Sequence, residues 1–340
     1  MPKAIRESEK GFKIGNANPF NSEDLSKTVL DGDTVKTFLD GYVNARFLGV
    51  DTPEKGFDLP YLKSILDLAQ VTSEEERKKR VYRDTNHPAW VKYLEDPFND
   101  NYEDSHKFKD ALGAELITYL KHKIGPSTAL NHHSNSLKSA QILLDIIKKD
   151  NQETVQAGKK YKFFFRFSHE VLDVYGRLLA YVHQDKEAEE RGPNISYNEL
   201  MLKAGYAIPY YIFPNIDPFI KYNSILDAIP DVHGDRFAFF RLIQKSSKLR
   251  KAREAITEIR NRTEPSLFTG EDSLKLLPFE LRFLQRRQRL NKYVMDLSNP
   301  EPIIYPPQDY YFITKEEDRF FIPEEYIPIF EKRGYKVIEG

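Results

Sequence analysis

The feature that most constrains this chain is a pair of strand-like runs closed by a short turn. Val35–Leu39 and Val43–Val50 flank Asp40-Gly41, a dipeptide suited to two-residue hairpin turns. With two residues in the turn, Val35 faces Arg46 and Asp33 faces Leu48. Side chains alternate along strands, so Asp33 and Arg46 fall on one face, about one diagonal apart. Asp51 lies just past the second strand, near the start of the first, and Glu54 follows across a Thr52-Pro53 bend. One hairpin thus gathers three carboxylates and a guanidinium at one rim.

Three carboxylates without a cation repel one another. Hard oxygen ligands clustered this way suit Ca²⁺ or Mg²⁺ rather than zinc. Phosphodiester hydrolysis needs these parts together. A cation and guanidinium forks neutralise charge developing on phosphoryl oxygens, and a carboxylate orients or deprotonates the attacking water. A second segment, Asp173-Val174-Tyr175-Gly176-Arg177, supplies another guanidinium. Each piece alone has a plainer reading: Asp31-Gly32-Asp33-Thr34 is a common turn, Asp51 or Thr52 could cap a helix, and Arg177 could serve a surface ion pair. Their order and spacing together point to a site.

These motifs, Asp31-Gly32-Asp33-Thr34, Arg46 through Val50-Asp51-Thr52-Pro53-Glu54, and Tyr175-Gly176-Arg177, resemble those of the staphylococcal nuclease (thermonuclease) family. Asn198-Glu199-Leu200-Met201, followed by Gly205-Tyr206-Ala207, is similar to a family helix. The resemblance spans roughly residues 27–262. It implies an α+β fold: a five-stranded OB-type β-barrel with packed helices. It implies that Asp33, Asp51 and the Thr52 carbonyl hold Ca²⁺, that Glu54 orients or deprotonates the water, and that Arg46 and Arg177 grip the scissile phosphate. Tyr175 and Tyr211 match substrate-contacting positions. The implied reaction is endonucleolytic cleavage of DNA or RNA that leaves 3′-phosphates. The family's lysine before the Tyr-Gly-Arg turn is Val174 here, and Phe213 replaces a second tyrosine.

With 340 residues, 40% hydrophobic, the chain has material for a core and for one to three domains. The expected organisation is an N-terminal arm (1–25), a nuclease-like domain (26–262) with insertions near 55–104 and 126–157, and a small C-terminal appendage (263–340) behind a linker, Thr263–Gly270. Ser105–Lys123 and Ser136–Lys149 read as amphipathic helices, with another helical piece near Glu74–Tyr82. Asp235–Arg262 reads as one long basic helix. With Arg282, Arg286, Arg287 and Arg289, it is either a footprint for nucleic acid or a solvated face. His132-His133 reads as a surface loop rather than a metal site, and Phe163, Phe164, Phe165 and Phe167 as barrel core rather than a base-stacking face.

A net charge of -1 confines attraction for polyanions to local patches. The absence of cysteine excludes disulfides and thiolate metal sites. Without an apolar leader or spanning segment, the expectation is a cytoplasmic protein with no membrane partner, or a secreted one if a leader was removed. The rival function is a nucleic-acid- or protein-binding module on the same barrel, with a partner met through the insertions or the C-terminal extension. A further rival keeps hydrolysis but confines it to one structured substrate.

Overall fold

The computed structural model describes residues 5–8, 11–14, 18–19, 24–38, 42–173, 175–184, 195–216, 229–231, 235, 237–299, 301 and 303–338. Strands β1 (Val29–Asp31), β2 (Thr34–Phe38) and β3 (Tyr42–Phe47) form an antiparallel set. The β2–β3 register differs by one residue from the expected one: Thr34 faces Arg46 and Val35 faces Ala45. The connection is therefore three residues long, and Asp40-Gly41 itself lies outside the described residues. Burial explains the register. Val35 and Ala45 are both fully buried, and pairing Val35 with Arg46 would turn every side chain of one strand to the other face. Asp33 consequently sits in the tight turn between β1 and β2. There its amide donates to Asp31 Oδ1 at 3.3 Å, and its carbonyl accepts from the Phe47 amide at 2.8 Å.

After β3 the chain turns a corner. The Leu48 amide still donates to the Ala180 carbonyl at 3.0 Å. Gly49 has φ +73°, and a Cβ there would lie 2.8 Å from the Tyr211 ring, so glycine is required twice over. Strand β4 (Gly49–Asp51) then leaves for a different sheet.

Beyond β4, Gly56–Asp58 pairs with Tyr82–Asp84, so the helical piece expected near 74–82 shrinks to Glu74–Arg77. Helix α1 (Pro88–Glu95) follows. The periodic stretch from Ser105 is two helices, α2 (Ser105–Leu112) and α3 (Ala114–Lys121), because Gly113 at φ +79° breaks it. The second insertion is one 29-residue helix, α4 (Thr128–Gln156), which contains the expected 136–149 segment. His132 and His133 lie on it, so they are not a surface loop.

Strands β5 (Phe163–Leu172) and β6 (Leu178–Gln184) pair antiparallel, and β6 runs parallel to β3 with Leu179 beside Arg46. Phe163, Phe165 and Phe167 are buried, but Phe164, which strand alternation turns to the other face, is only half-buried, so the core reading does not extend to it. Helix α5 (Tyr197–Ala204) opens with a capping box between Ser196 and Glu199. Its Asn198 clips the corner, donating to the Leu48 carbonyl at 2.8 Å and accepting from the Val182 amide at 3.0 Å. Strand β7 (Ile208–Ile212) follows. The expected long basic helix is two, Ala238–Gln244 and α6 (Ser247–Arg260), separated where Ser246 caps the Leu249 amide. The C-terminal segment adds α7 (Pro278–Arg286) and strands β8 (Lys292–Asp296), β9 (Ile303–Tyr305) and β10 (Arg319–Pro323).

Besides two two-stranded ribbons, Ile5–Ser8 with Gly11–Ile14 and Gly56–Asp58 with Tyr82–Asp84, one six-stranded sheet runs β5-β6-β3-β2, then Asn18–Pro19, with β1 also on β2, and a second runs Lys336–Val337, β9, β8, β10, β7, β4. The fold is mixed α+β, and the described strands close no barrel. The corner at Leu48-Gly49 hands the chain from one six-stranded sheet to the other. Nor is the C-terminal segment a small appendage. It supplies four of six strands in the second sheet. Leu276, Leu281 and Leu284 share a core with Trp90, Tyr93 and Leu112. The Leu267 amide, inside the expected linker, donates to the Gly205 carbonyl at 2.9 Å. The N-terminal residues are also tied in, since Asn18–Pro19 pairs with β2. Among the described residues no helix is long and apolar enough to cross a membrane.

Candidate active site

The corner brings the acidic residues together. Arg46, at the end of β3, reaches Asp33 Oδ1 at 2.6 Å, Asp51 Oδ1 at 2.5 Å and Glu54 Oε1 at 3.4 Å. Asp33 and Asp51 are 0% exposed, Arg46 8%. Asp33 Oδ2 accepts the Thr52 amide at 3.1 Å, which ties the exit of β4 to the β1–β2 turn. The approach is close: a Cβ on Gly32 would lie 2.7 Å from Ser139 of α4 and 3.0 Å from Thr52.

A second guanidinium enters from helix α7. Arg282 donates to Asp51 Oδ2 at 3.0 Å, to Asp51 Oδ1, and to Glu54 Oε1 at 3.0 Å. No motif of the sequence assigns this role. The arginine run at 282–289 marks positive charge, but only the packing of α7 shows which arginine faces the carboxylates. Helix α4 contributes from another side. His132 is buried, and its Nε2 accepts the Glu54 amide at 3.1 Å. Burial lowers the imidazole to about 4, so the ring stays neutral and holds Glu54's backbone rather than acting as a cation.

The electrostatics are unbalanced. Three carboxylates, Asp33, Asp51 and Glu54, meet two guanidiniums, Arg46 and Arg282, and Asp31 adds a fourth acid within reach of the Arg46 charge. Burial raises Asp33 well above the carboxylate range despite Arg46, and Asp31 and Glu54 add to the rise. Burial, then the charge of Glu54, also raises Asp31. Glu54, at 18% side-chain exposure, ends below its ordinary value because Arg282 and Arg46 outweigh its burial. Its Oε1 is engaged by both guanidiniums, while Oε2 takes no hydrogen bond from any described residue.

Arg177 stands on the β5–β6 turn. Its Nε donates to Asp173 Oδ2 at 2.7 Å, its Nη atoms make no hydrogen bond among the described residues, and its charge reaches Glu54. Tyr175, 57% exposed, lies 5.4 Å from the Arg177 guanidinium. Arg286, one turn beyond Arg282, donates to its hydroxyl at 3.4 Å. Tyr211 is not brought to the site. It is 2% exposed, packed on Gly49, with its hydroxyl donating to the Lys248 carbonyl at 3.2 Å. Val174 lies outside the described residues.

The donor chemistry fits a hard divalent cation: carboxylate oxygens in a cluster with excess negative charge. The arrangement itself places guanidinium nitrogens on those oxygens. Among the described residues no three acidic or histidine side chains are gathered to hold a metal ion as they stand. No family model matches the chain, and no curated protein does.

Proposed function

We propose that the chain is a Ca²⁺-dependent phosphodiesterase that cleaves DNA or RNA endonucleolytically, on a scaffold related to the staphylococcal-nuclease OB fold. One observation carries the reading. Glu54, whose Oε2 takes no hydrogen bond from any described residue, stands within reach of three arginines, Arg46, Arg282 and Arg177, at a buried acidic cluster. A structural ion pair has no need of that surplus.

Asp33, Asp51 and the Thr52 carbonyl are the groups that would hold the cation. When bound, it neutralises charge on a phosphoryl oxygen and lowers the pKa of water. The chain's own residues do the rest. Arg177, with unengaged Nη atoms, takes the scissile phosphate from the open side. Arg46, fixed at the end of β3, meets it from the carboxylate side, and both stabilise the charge that grows as phosphorus becomes five-coordinate. Glu54 orients a water through Oε2 and accepts its proton. The oxygen–phosphorus bond forms as the bond to the 5′-oxygen breaks, and the leaving oxygen picks up a proton from solvent. The products are a 3′-phosphate and a 5′-hydroxyl. Tyr175, exposed at the mouth, offers a face for sugar or base.

The test is degradation of single-stranded DNA, duplex DNA and RNA with Ca²⁺, Mg²⁺ or EDTA. Cleavage is expected with Ca²⁺ and not with EDTA. Glu54→Gln and Arg177→Ala are each expected to lose on the order of 10² to 10⁴ in rate. Binding without cleavage of any substrate would turn the reading to a nucleic-acid-binding module.

A further inference from the structure

We infer that Arg282 is a built-in counter-ion that a divalent cation must displace from Asp51, and that the displaced guanidinium, with Arg286, then takes substrate phosphate. This rests on the hydrolytic reading above and assigns the C-terminal segment a part in it.

Arg282 holds both oxygens of Asp51 and also Glu54 Oε1. Asp51 Oδ1 already accepts from Arg46. A cation seated on Asp51 would therefore lie within a few ångströms of two guanidiniums, a repulsion that falls if one withdraws. Arg46 is the less able to move: it belongs to a paired strand and is locked to Asp33 as well. Arg282 has side-chain exposure of 22% and so a path to solvent.

Its helix, by contrast, is clamped. Glu280, buried in α7, accepts the Leu277 amide at 2.7 Å and the Tyr310 hydroxyl at 2.7 Å, and pairs with Lys123 at 3.0 Å. Displacement thus involves the Arg282 side chain, not the helix. Residues four apart on a helix share a face. Arg286 lies on that face and already extends to Tyr175, beside Arg177. A guanidinium leaving Asp51 along this face joins Arg286 and Arg177 around the open side of Glu54. Three forks suit a substrate carrying several phosphates, an oligonucleotide rather than a single nucleotide diester.

The experiment titrates Ca²⁺ calorimetrically into the full chain without nucleic acid, for wild type, Arg282→Gln and Arg282→Lys, with melting curves to check folding. Arg282→Gln is expected to tighten Ca²⁺ about tenfold, within the usual range of coupling between sites, with Arg282→Lys in between. At saturating Ca²⁺, Arg282→Gln is then expected to lose roughly 10²-fold in kcat/KM on a single-stranded oligonucleotide, and Arg286→Ala to raise KM. Unchanged or weaker Ca²⁺ binding in a folded Arg282→Gln protein overturns the counter-ion role, and undiminished kcat/KM overturns the phosphate role. If Arg282→Gln does not fold, Arg282→Lys decides: tighter Ca²⁺ supports the inference and unchanged affinity overturns it. A wild type that binds Ca²⁺ yet cleaves nothing defeats the hydrolytic reading and the phosphate role with it, while the calorimetry still decides the counter-ion.

Discussion

Glu199 and Asp51 are both buried carboxylates held by cations, but their surroundings differ in sign. Glu199 meets Lys248 at 3.2 Å and Lys251 at 3.3 Å, and accepts the Ser196 amide at 2.8 Å as half of a capping box. Burial pulls its carboxyl up, but Lys248, the Ser196 amide and Lys251 outweigh burial and hold it down at about 2. There one carboxylate has two ammonium partners. At the corner, Asp33, Asp51 and Glu54 share Arg46 and Arg282 with Asp31 close by, and Asp33 is driven up instead. Burial is common to both clusters, so burial does not mark the candidate site. A surplus of negative charge does, because only a cluster with excess carboxylate gains from a bound cation.

Three outcomes would break or sharpen that contrast. The largest concerns the Glu199 cluster. Glu199→Gln leaves Lys248 buried without its carboxylate and is expected to cost about 3–5 kcal/mol in urea unfolding. A loss near zero would mean that the lysines find other partners and that the cluster is not structural. Next is the response to Ca²⁺. At a hundredfold excess over Kd, bound Ca²⁺ should raise stability by about 2.7 kcal/mol. Thermal unfolding should show this gain in wild type and in Glu199→Gln but not in Asp33→Asn. A gain that survives Asp33→Asn would place the cation elsewhere.

The smallest effect is a pH dependence near the Glu199 cluster. His183 is buried, and neither ring nitrogen has a hydrogen-bond partner among the described residues. Burial, then Lys248, lowers it from 6.5 to about 3. Between those values the unfolded chain binds a proton that the folded chain refuses, so stability falls as pH drops from 6.5 toward 3. His183→Phe removes that contribution. Its melting temperature relative to wild type should therefore rise as pH is lowered from 7 to about 4.5. A constant difference would show that His183 does not titrate in this window.

Much of the corner was legible because its residues are close in sequence. Asp33, Arg46, Asp51 and Glu54 lie on two strands and their exits, and local pairing alone brings them near one another. Pairing across a two-residue turn nevertheless puts the register off by one residue. A turn dipeptide does not determine how many residues the loop holds; the burial of Val35 and Ala45 does. Asp33 reaches Arg46 from a turn that strand alternation cannot describe. Arg177 was legible from its motif, whereas Tyr211 was not placed by its neighbours in sequence, because its side chain turns inward against Gly49. His132 lacked any signal beyond an adjacent histidine, and its role depends on the packing of α4 against the Glu54 backbone.

The sequence by itself determined the inventory: which acids and arginines the chain carries, the hairpin that gathers three of the acids, the apolar strands that bury Phe163, Phe165 and Phe167, and the absence of thiol chemistry. These follow from short-range periodicity and residue type. Only the tertiary structure decided that the chain passes from one six-stranded sheet to another at Gly49, that the C-terminal segment builds most of the second of these, and that Arg282 enters the acidic cluster from more than two hundred residues away. Such contacts follow from the burial of whole helix and sheet faces against one another. That burial is non-directional and sums over many residues, so no local pattern reveals which distant charge it will carry to the site.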